Sequence, residues 1–138
     1  MSDVQTKATQ DAATPQGVLA WLKEGSRRFA DGKSQAPELL EQARATATGQ
    51  YPLAAVLGCI DSRVPVEMVL DVGIGDVFAA RTAGNVVGPD VLGSLEFAAE
   101  LAGVKMIVVL GHSACGAVKG ACDGAELGEL TALLEKIK

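Results

Sequence analysis

Two apolar runs constrain this 138-residue chain most, because both end in Val-Leu-Gly and both lead directly into a potential metal ligand. Residues 53–58 precede Cys59, and residues 104–111 precede His112. Short apolar runs of this kind, the second rich in β-branched residues, predict buried β-strands. Residues 77–80 predict a third strand, since glycines flank this short segment on both sides.

Helical patterns lie before, between and after the predicted strands. They cover residues 14–31, 37–50, 65–70, 89–103 and the C-terminal LTALLEKIK, and a further turn of helix is expected after His112. Alternating strands and helices predict an α/β fold with a mostly parallel central sheet flanked by helices, preceded by an N-terminal helical arm. We expect a flexible arm over residues 1–14 and a single domain over residues 15–138, which is a suitable length for one core.

Charge and composition exclude several classes of function. The formal net charge of -5, without a cluster of basic and aromatic residues, argues against nucleic-acid binding. No apolar run reaches the roughly 18 residues of a membrane span, and the polar N-terminal residues do not resemble an export signal. We therefore expect a cytoplasmic protein without membrane contact. Three cysteines in such a chain favour metal or catalytic use over disulfides.

Four side chains can be expected to converge at one edge of the sheet. Cys59 and His112 follow strands whose carboxyl ends lie at the same edge of a parallel sheet, and Cys115 follows His112 by three residues. Two thiolates and an imidazole are ligands that zinc favours, and they leave a fourth position open. Asp61 could occupy that position, or it could pair with Arg63. Cys122 lies outside this pattern and is expected to pack in the core.

The same residues lie within strings that closely resemble the motifs of β-carbonic anhydrases: CIDSRVP, RTAGN and GHSACGAVKG. The likeness extends from about Trp21 to the C-terminus. It implies zinc, Zn(II), as the cofactor and reversible hydration of carbon dioxide to bicarbonate as the activity. It further implies Cys59, His112 and Cys115 as zinc ligands, with Asp61 and Arg63 as a catalytic dyad.

The resemblance also implies substrate contacts at Gln50, Phe78, Phe97 and Gly116, and assembly into a homodimer or a higher homo-oligomer. Phe97 departs from the tyrosine of plant-type members. Family members usually continue beyond the C-terminal helix with another strand and further helices. We therefore expect this chain to lack an edge strand and to expose apolar surface there.

Three alternatives to carbon dioxide hydration stay open at the level of sequence. The same scaffold could hydrolyse carbon disulfide or carbonyl sulfide, which are also linear molecules. The chain could instead be a catalytically inactive zinc-binding or assembly module, as its short C-terminus suggests. A third possibility is a metal-independent thiol nucleophile formed by Cys115 with His112.

Overall fold

The computed structural model describes residues 4–138 and contains one parallel sheet of three strands. The strands are β1 (Ala54–Gly58), β2 (Val77–Arg81) and β3 (Met106–Leu110), in the order β2-β1-β3. In this register Ala54 of β1 pairs with Val77 of β2 on one side and with Met106 of β3 on the other. All three predicted strands are present, and the predicted α/β architecture is confirmed.

Seven α-helices surround this sheet in the described part of the chain. They are α1 (Lys7–Ala12), α2 (Pro15–Ala30), α3 (Leu39–Ala45), α4 (Val66–Val69), α5 (Pro89–Glu96), α6 (Gly116–Asp123) and α7 (Gly128–Glu135). A π-helical turn, Phe97–Leu101, continues α5, and a 3-10 turn, Ala83–Asn85, follows β2. Among residues 4–138, every helix is too short or too polar to cross a bilayer.

Helix α2 forms where the sequence predicts it and packs its apolar face on the sheet. The Thr14 side chain accepts a hydrogen bond from the Gly17 N–H, and Pro15 occupies the first turn, so the helix begins with its cap satisfied. Val18 and Leu22 are buried on its inner face. Gly25 lets the helix approach the end of α4, because a Cβ there would lie 1.9 Å from the Leu70 carbonyl oxygen.

The N-terminal segment differs from the expected flexible arm. Residues 7–12 form α1, whose first turn is closed by a reciprocal capping box between Thr6 and Thr9. Gln10 is 3% exposed, and its amide donates to the carbonyl oxygens of Pro52 (2.8 Å) and Ala102 (2.9 Å). These long-range hydrogen bonds attach α1 to the domain, so the expectation is wrong for these residues. Residues 1–3 lie outside the described part of the chain.

The central strand β1 is buried along its whole length because helices cover both faces of the sheet. On one face Ala54 and Val56 pack with α2 and α4 through Val18, Leu22 and Val66. On the other face Ala55 packs with Leu95 and Ala98, in and after α5, and with Phe78 of β2. These two small cores fix the end of β1 at which Cys59 lies.

Strand β3 is less buried than its apolar sequence predicts. Ile107 is 47% exposed and Val109 is 66% exposed, whereas Met106, Val108 and Leu110 pack on the opposite face against the α2 side of the sheet. The reason is its position: β3 is an edge strand, and α5 packs over β1 and β2. Ile107 and Val109 therefore leave apolar surface exposed on one face of β3.

Asp76, a buried carboxylate in the segment before β2, should make the stability of the fold depend on pH. The Oδ2 atom of Asp76 accepts a hydrogen bond from the Gly73 N–H at 2.7 Å, while Oδ1 is buried without a hydrogen-bond partner among residues 4–138. Burial raises the pKa of Asp76, although the hydrogen bond from the Gly73 backbone lowers it in part. The folded state therefore holds this proton more tightly than the unfolded state does, and ionising Asp76 destabilises the fold.

We expect Asp76→Asn to stabilise the protein at neutral pH, because the amide oxygen can still accept from Gly73 while the buried charge is removed. A gain of about 1 kcal/mol would raise the melting temperature by about 2–4 °C in a domain of this size. The gain should shrink as the pH falls through the raised pKa of folded Asp76, and it should vanish near the unfolded value of about 4. Thermal unfolding of both proteins from pH 3 to pH 8 measures this; an equal difference at every pH would contradict it.

Candidate metal centre

The candidate site lies at the carboxyl edge of the sheet, where two loops leave neighbouring strands. Cys59 follows the last residue of β1, and His112 lies two residues beyond the last residue of β3. Gly58 and Leu110, the final residues of these strands, are paired in register. The parallel arrangement therefore brings the two loops to one edge, as expected, although the register is offset by one residue from the Val-Leu-Gly match, which would pair Gly58 with Gly111.

Cys59, His112 and Cys115 form a compact cluster of potential metal ligands. One ligand atom from each residue lies within 4.8 Å of the others, and the two sulfur atoms are 3.9 Å apart. Cys115 immediately precedes α6 and is half-buried, whereas Cys59 is 4% exposed. The cluster is therefore shielded on the Cys59 side and reachable from the Cys115 side.

The imidazole of His112 is oriented for ligation by its own loop. Its Nδ1 atom lies 2.9 Å from the Ser113 carbonyl oxygen, a contact in which only the imidazole can donate. The proton is thereby placed on Nδ1, which leaves a lone pair on Nε2. Nε2 is buried and has no hydrogen-bond partner among the described residues. An orphaned basic nitrogen beside two thiols is the arrangement that a bound metal ion would satisfy.

The surroundings of Cys59 favour its thiolate. Burial raises the pKa of this thiol, but the neighbouring His112 imidazole and the backbone N–H groups of Asp61 and Gly84 outweigh burial, and the pKa falls to about 7. The Gly84 nitrogen lies 3.4 Å from the Cys59 sulfur. Since the thiolate is the form that binds metals, these contacts prepare Cys59 for ligation near neutral pH.

Asp61 and Arg63 form a bidentate ion pair beside the cluster. Arg63 donates from Nε to Oδ1 at 2.9 Å and from Nη2 to Oδ2 at 2.7 Å, and its backbone N–H also donates to Oδ1. These hydrogen bonds hold the pKa of Asp61 well below its usual range, so the carboxylate stays ionised. Its Oδ2 atom is 3.9 Å from the His112 Nδ1 atom. Asp61 is therefore turned toward Arg63 and lies at the border of the cluster.

The donor set and its spacing fit zinc. A tetrahedral ion with metal–sulfur bonds of about 2.3 Å would separate its two sulfurs by about 3.8 Å. The observed separation of the Cys59 and Cys115 sulfurs is 3.9 Å. Two thiolates, one imidazole nitrogen and an open fourth position are also the chemistry of a zinc site that remains accessible to a small molecule.

The four residues that the family resemblance implies as substrate contacts do not all lie beside the cluster. Gly116 begins α6 directly after Cys115, so its N–H belongs to the first turn, where N–H groups lack helical partners. Phe78 and Phe97 contact each other with ring centroids 6.2 Å apart and line a cavity of about 650 Å³ between β2 and α5. Phe78 pairs with Ala55, four residues before Cys59, which places it about 13 Å along the strand from the cluster. Gln50 is exposed in the loop before β1.

Cys122 contradicts the prediction of core packing. It is exposed on α6, because its neighbour Ala121 occupies the buried side of that helix.

A second cavity, of about 860 Å³, lies between α2, α3 and α4, and includes Trp21, Gln42 and Asp76 among its lining residues. It contains none of the cluster residues, so this cavity is separate from the candidate metal centre.

Arg81, Gly84 and Asn85 all belong to the RTAGN string, but no role for them was predicted from the sequence. The Arg81 guanidinium donates to the carbonyl oxygens of Cys59 (2.8 Å) and Asp61 (2.7 Å). Gly84 contacts the Cys59 sulfur, and the Asn85 amide donates to the Leu110 carbonyl oxygen at 2.8 Å. Two adjacent residues suited to a left-handed backbone, Gly-Asn, are the sequence signal of a tight turn that could have been followed to this site.

Comparison with known proteins places this geometry in a family context. The family model for carbonic anhydrase matches residues 54–138. The chain is 48% identical over 116 residues to carbonic anhydrase 2 of Mycobacterium tuberculosis, and 47% identical to the carbonic anhydrase of Mycolicibacterium smegmatis. Each alignment covers 82% of this chain and 56% of the relative. The chain therefore spans a little over half the length of these relatives.

Two solved structures of β-carbonic anhydrases have a fold similar to that of this chain. The chain is similar to the β-carbonic anhydrase CafA of Aspergillus fumigatus, with a TM-score of 0.64, 35% identity, and coverage of 87% of this chain and 56% of that one. It is also similar to a tetrameric β-carbonic anhydrase of Sordaria macrospora, with a TM-score of 0.65, 33% identity, and coverage of 86% and 61% respectively.

Proposed function

This chain belongs to the carbonic anhydrase family and has the fold of its β class, and we propose on that basis that it catalyses zinc-dependent, reversible hydration of carbon dioxide to bicarbonate. The observation that carries the proposal is the convergence of Cys59, His112 and Cys115 within 4.8 Å, beside an ionised carboxylate. A mere family likeness would not require these donor atoms to meet.

Cys59, His112 and Cys115 would hold the zinc ion, with Sγ, Nε2 and Sγ as the donor atoms. Bound zinc lowers the pKa of water from about 15.7 to about 7 and so supplies a nucleophile at neutral pH. The Ser113 carbonyl fixes the orientation and tautomer of His112, and the Gly84 N–H supports the charge on Cys59.

Asp61 would act as a hydrogen-bond acceptor that orients the attacking group. Arg63 holds the Asp61 carboxylate ionised and away from the fourth ligand position, since both of its oxygens are engaged by the guanidinium. Arg63 also donates to the Ala114 carbonyl oxygen at 3.2 Å, which links the loop after β1 to the loop after β3. The pair thus leaves room for a small substrate and positions an acceptor beside it.

We also propose that the chain acts as a homodimer or a higher homo-oligomer. The register places Phe78 about 13 Å along the strand from the cluster of its own chain, and Phe97 contacts Phe78, so an apolar pocket wall made by these residues would have to come from a second copy. Exposed Phe97 and Leu101 offer apolar surface for such a contact. The similar Sordaria macrospora protein is described as tetrameric.

The alternatives have less support from the site. A metal-independent nucleophile at Cys115 requires His112 to activate that thiol, but the His112 Nδ1 atom donates to the Ser113 carbonyl oxygen and its Nε2 atom has no hydrogen-bond partner among the described residues. Hydrolysis of carbon disulfide and a purely structural zinc site are the other two alternatives. Activity and zinc measurements separate both of them from carbon dioxide hydration.

The test is stopped-flow hydration of carbon dioxide, with zinc content and oligomeric state measured on the same preparation. We expect about one zinc per chain, an oligomer in sedimentation, and activity that disappears when a chelator removes the metal. Carbon disulfide should be turned over far more slowly than carbon dioxide. Bound zinc without hydration activity would favour the structural alternative, and a fully active monomer would contradict the shared pocket.

A further inference from the structure

One side chain contacts both of the strand ends that carry the candidate ligands. The amide nitrogen of Asn85 donates to the Leu110 carbonyl oxygen at 2.8 Å and approaches the Leu57 carbonyl oxygen at 3.4 Å. Leu57 lies two residues before Cys59, and Leu110 lies two residues before His112. One amide group therefore bridges the ends of β1 and β3, in each case two residues before a candidate ligand.

The backbone of the same turn reaches the cluster directly. Gly84 and Asn85 both adopt left-handed conformations, with φ of 64° and 57°, which only glycine and asparagine or aspartate adopt readily. This conformation directs the Gly84 N–H at the Cys59 sulfur, 3.4 Å away. A side chain at residue 84 would also collide with Ile137, since a Cβ there would lie 2.6 Å from its Cδ1 atom. The turn is therefore held by its contact with the Cys59 sulfur and by the close packing of Ile137.

We propose that Asn85 is a positioning residue that sets the separation of Cys59 and His112 and thereby the affinity and geometry of the metal site. The inference depends on the zinc site proposed above. Asn85 does not touch the ligand atoms; it acts through the carbonyl groups of Leu57 and Leu110 and through the turn that presents the Gly84 N–H. Residues that orient ligands in this way typically affect metal affinity by about 10- to 100-fold.

The informative variant is Asn85→Gly, because glycine keeps the left-handed backbone and removes only the bridging amide. Thr82→Val is the matched control in the same turn. It removes the hydrogen bond from the Thr82 hydroxyl to the Val86 carbonyl oxygen (2.7 Å) and leaves both strand ends untouched. Each protein is titrated with zinc against a competing chelator and is also loaded with cobalt, whose absorption reports coordination geometry.

We expect Asn85→Gly to bind zinc about 10- to 100-fold more weakly than the unchanged protein and to alter the cobalt spectrum, while Thr82→Val changes neither. Equal zinc affinity and superimposable cobalt spectra for Asn85→Gly would overturn the inference, as would an equal loss in Thr82→Val. If the unchanged protein itself failed to bind zinc, the proposed function would fall instead. The two failures are therefore distinguishable.

A measurement on the unchanged protein keeps the inference testable should Asn85→Gly fail to fold. The assigned side-chain amide signal of Asn85 in the NMR spectrum should exchange slowly with solvent and should shift when zinc binds. Exchange at the rate of a free asparagine amide, or a signal that zinc does not move, would overturn the proposed bridge.

Discussion

Cys59→Ala is expected to reduce the zinc content of the purified chain from about one ion to nearly none. The substitution removes one of two sulfur donors and leaves the buried Nε2 of His112 with a single thiolate partner, Cys115. His112→Ala should have the same effect, because it removes the nitrogen donor from the same cluster. Metal analysis after gel filtration in chelator-free buffer measures both changes.

Cys122→Ala is the matched control, since it removes a cysteine that is exposed on α6 and outside the cluster. It should retain the full zinc content and the melting temperature of the unchanged protein. Zinc retention by Cys59→Ala, or equal loss in Cys122→Ala, would show that the metal lies elsewhere.

Asp61→Asn is expected to keep zinc and lose carbon dioxide hydration by at least about 100-fold. The ligand atoms of Cys59, His112 and Cys115 are untouched, so metal content should stay the same. The amide, however, can no longer accept both hydrogen bonds from Arg63, and one of its two polar atoms becomes a donor. The acceptor beside the fourth ligand position is thereby lost.

Asp76→Asn makes the same chemical change at a carboxylate outside the site, in a segment that precedes β2. It should therefore keep both zinc and activity. Stopped-flow hydration with parallel zinc analysis compares the two variants. Loss of zinc in Asp61→Asn would assign Asp61 to metal retention, and unchanged activity would remove it from the reaction.

The placement of the site could be predicted from the sequence because it depends on strand ends. A short apolar run before Cys59 and another before His112 indicate two buried strands, and parallel strands present their carboxyl ends at one edge. The pairing of Gly58 with Leu110 places both strand ends at that edge, although it is offset by one residue from the match between the two Val-Leu-Gly strings.

The supporting contacts could not be predicted in the same way, because they depend on where a turn folds back. Asn85 bridges Leu57 and Leu110, residues that are 28 and 25 positions away in the chain. The burial of Gln10 in α1 is a similar case, since its partners Pro52 and Ala102 are distant in sequence. Periodicity identifies elements, but it does not report long-range hydrogen bonds of polar side chains.

The burial of β3 also differs from what its sequence predicts. Its sequence is apolar on both faces and therefore predicts a buried strand, yet Ile107 and Val109 are exposed because β3 lies at the edge of the sheet beyond α5. Apolar composition indicates that a face is suited to burial, whereas the element that covers it is decided by tertiary packing.

X-ray absorption at the zinc edge tests the central claim most directly, because it counts the atoms bound to the metal by element and distance. Two sulfurs at about 2.3 Å and one nitrogen at about 2.0–2.1 Å, completed by one light atom, are the predicted shell. A shell of nitrogen and oxygen without sulfur would contradict a site formed by Cys59, His112 and Cys115.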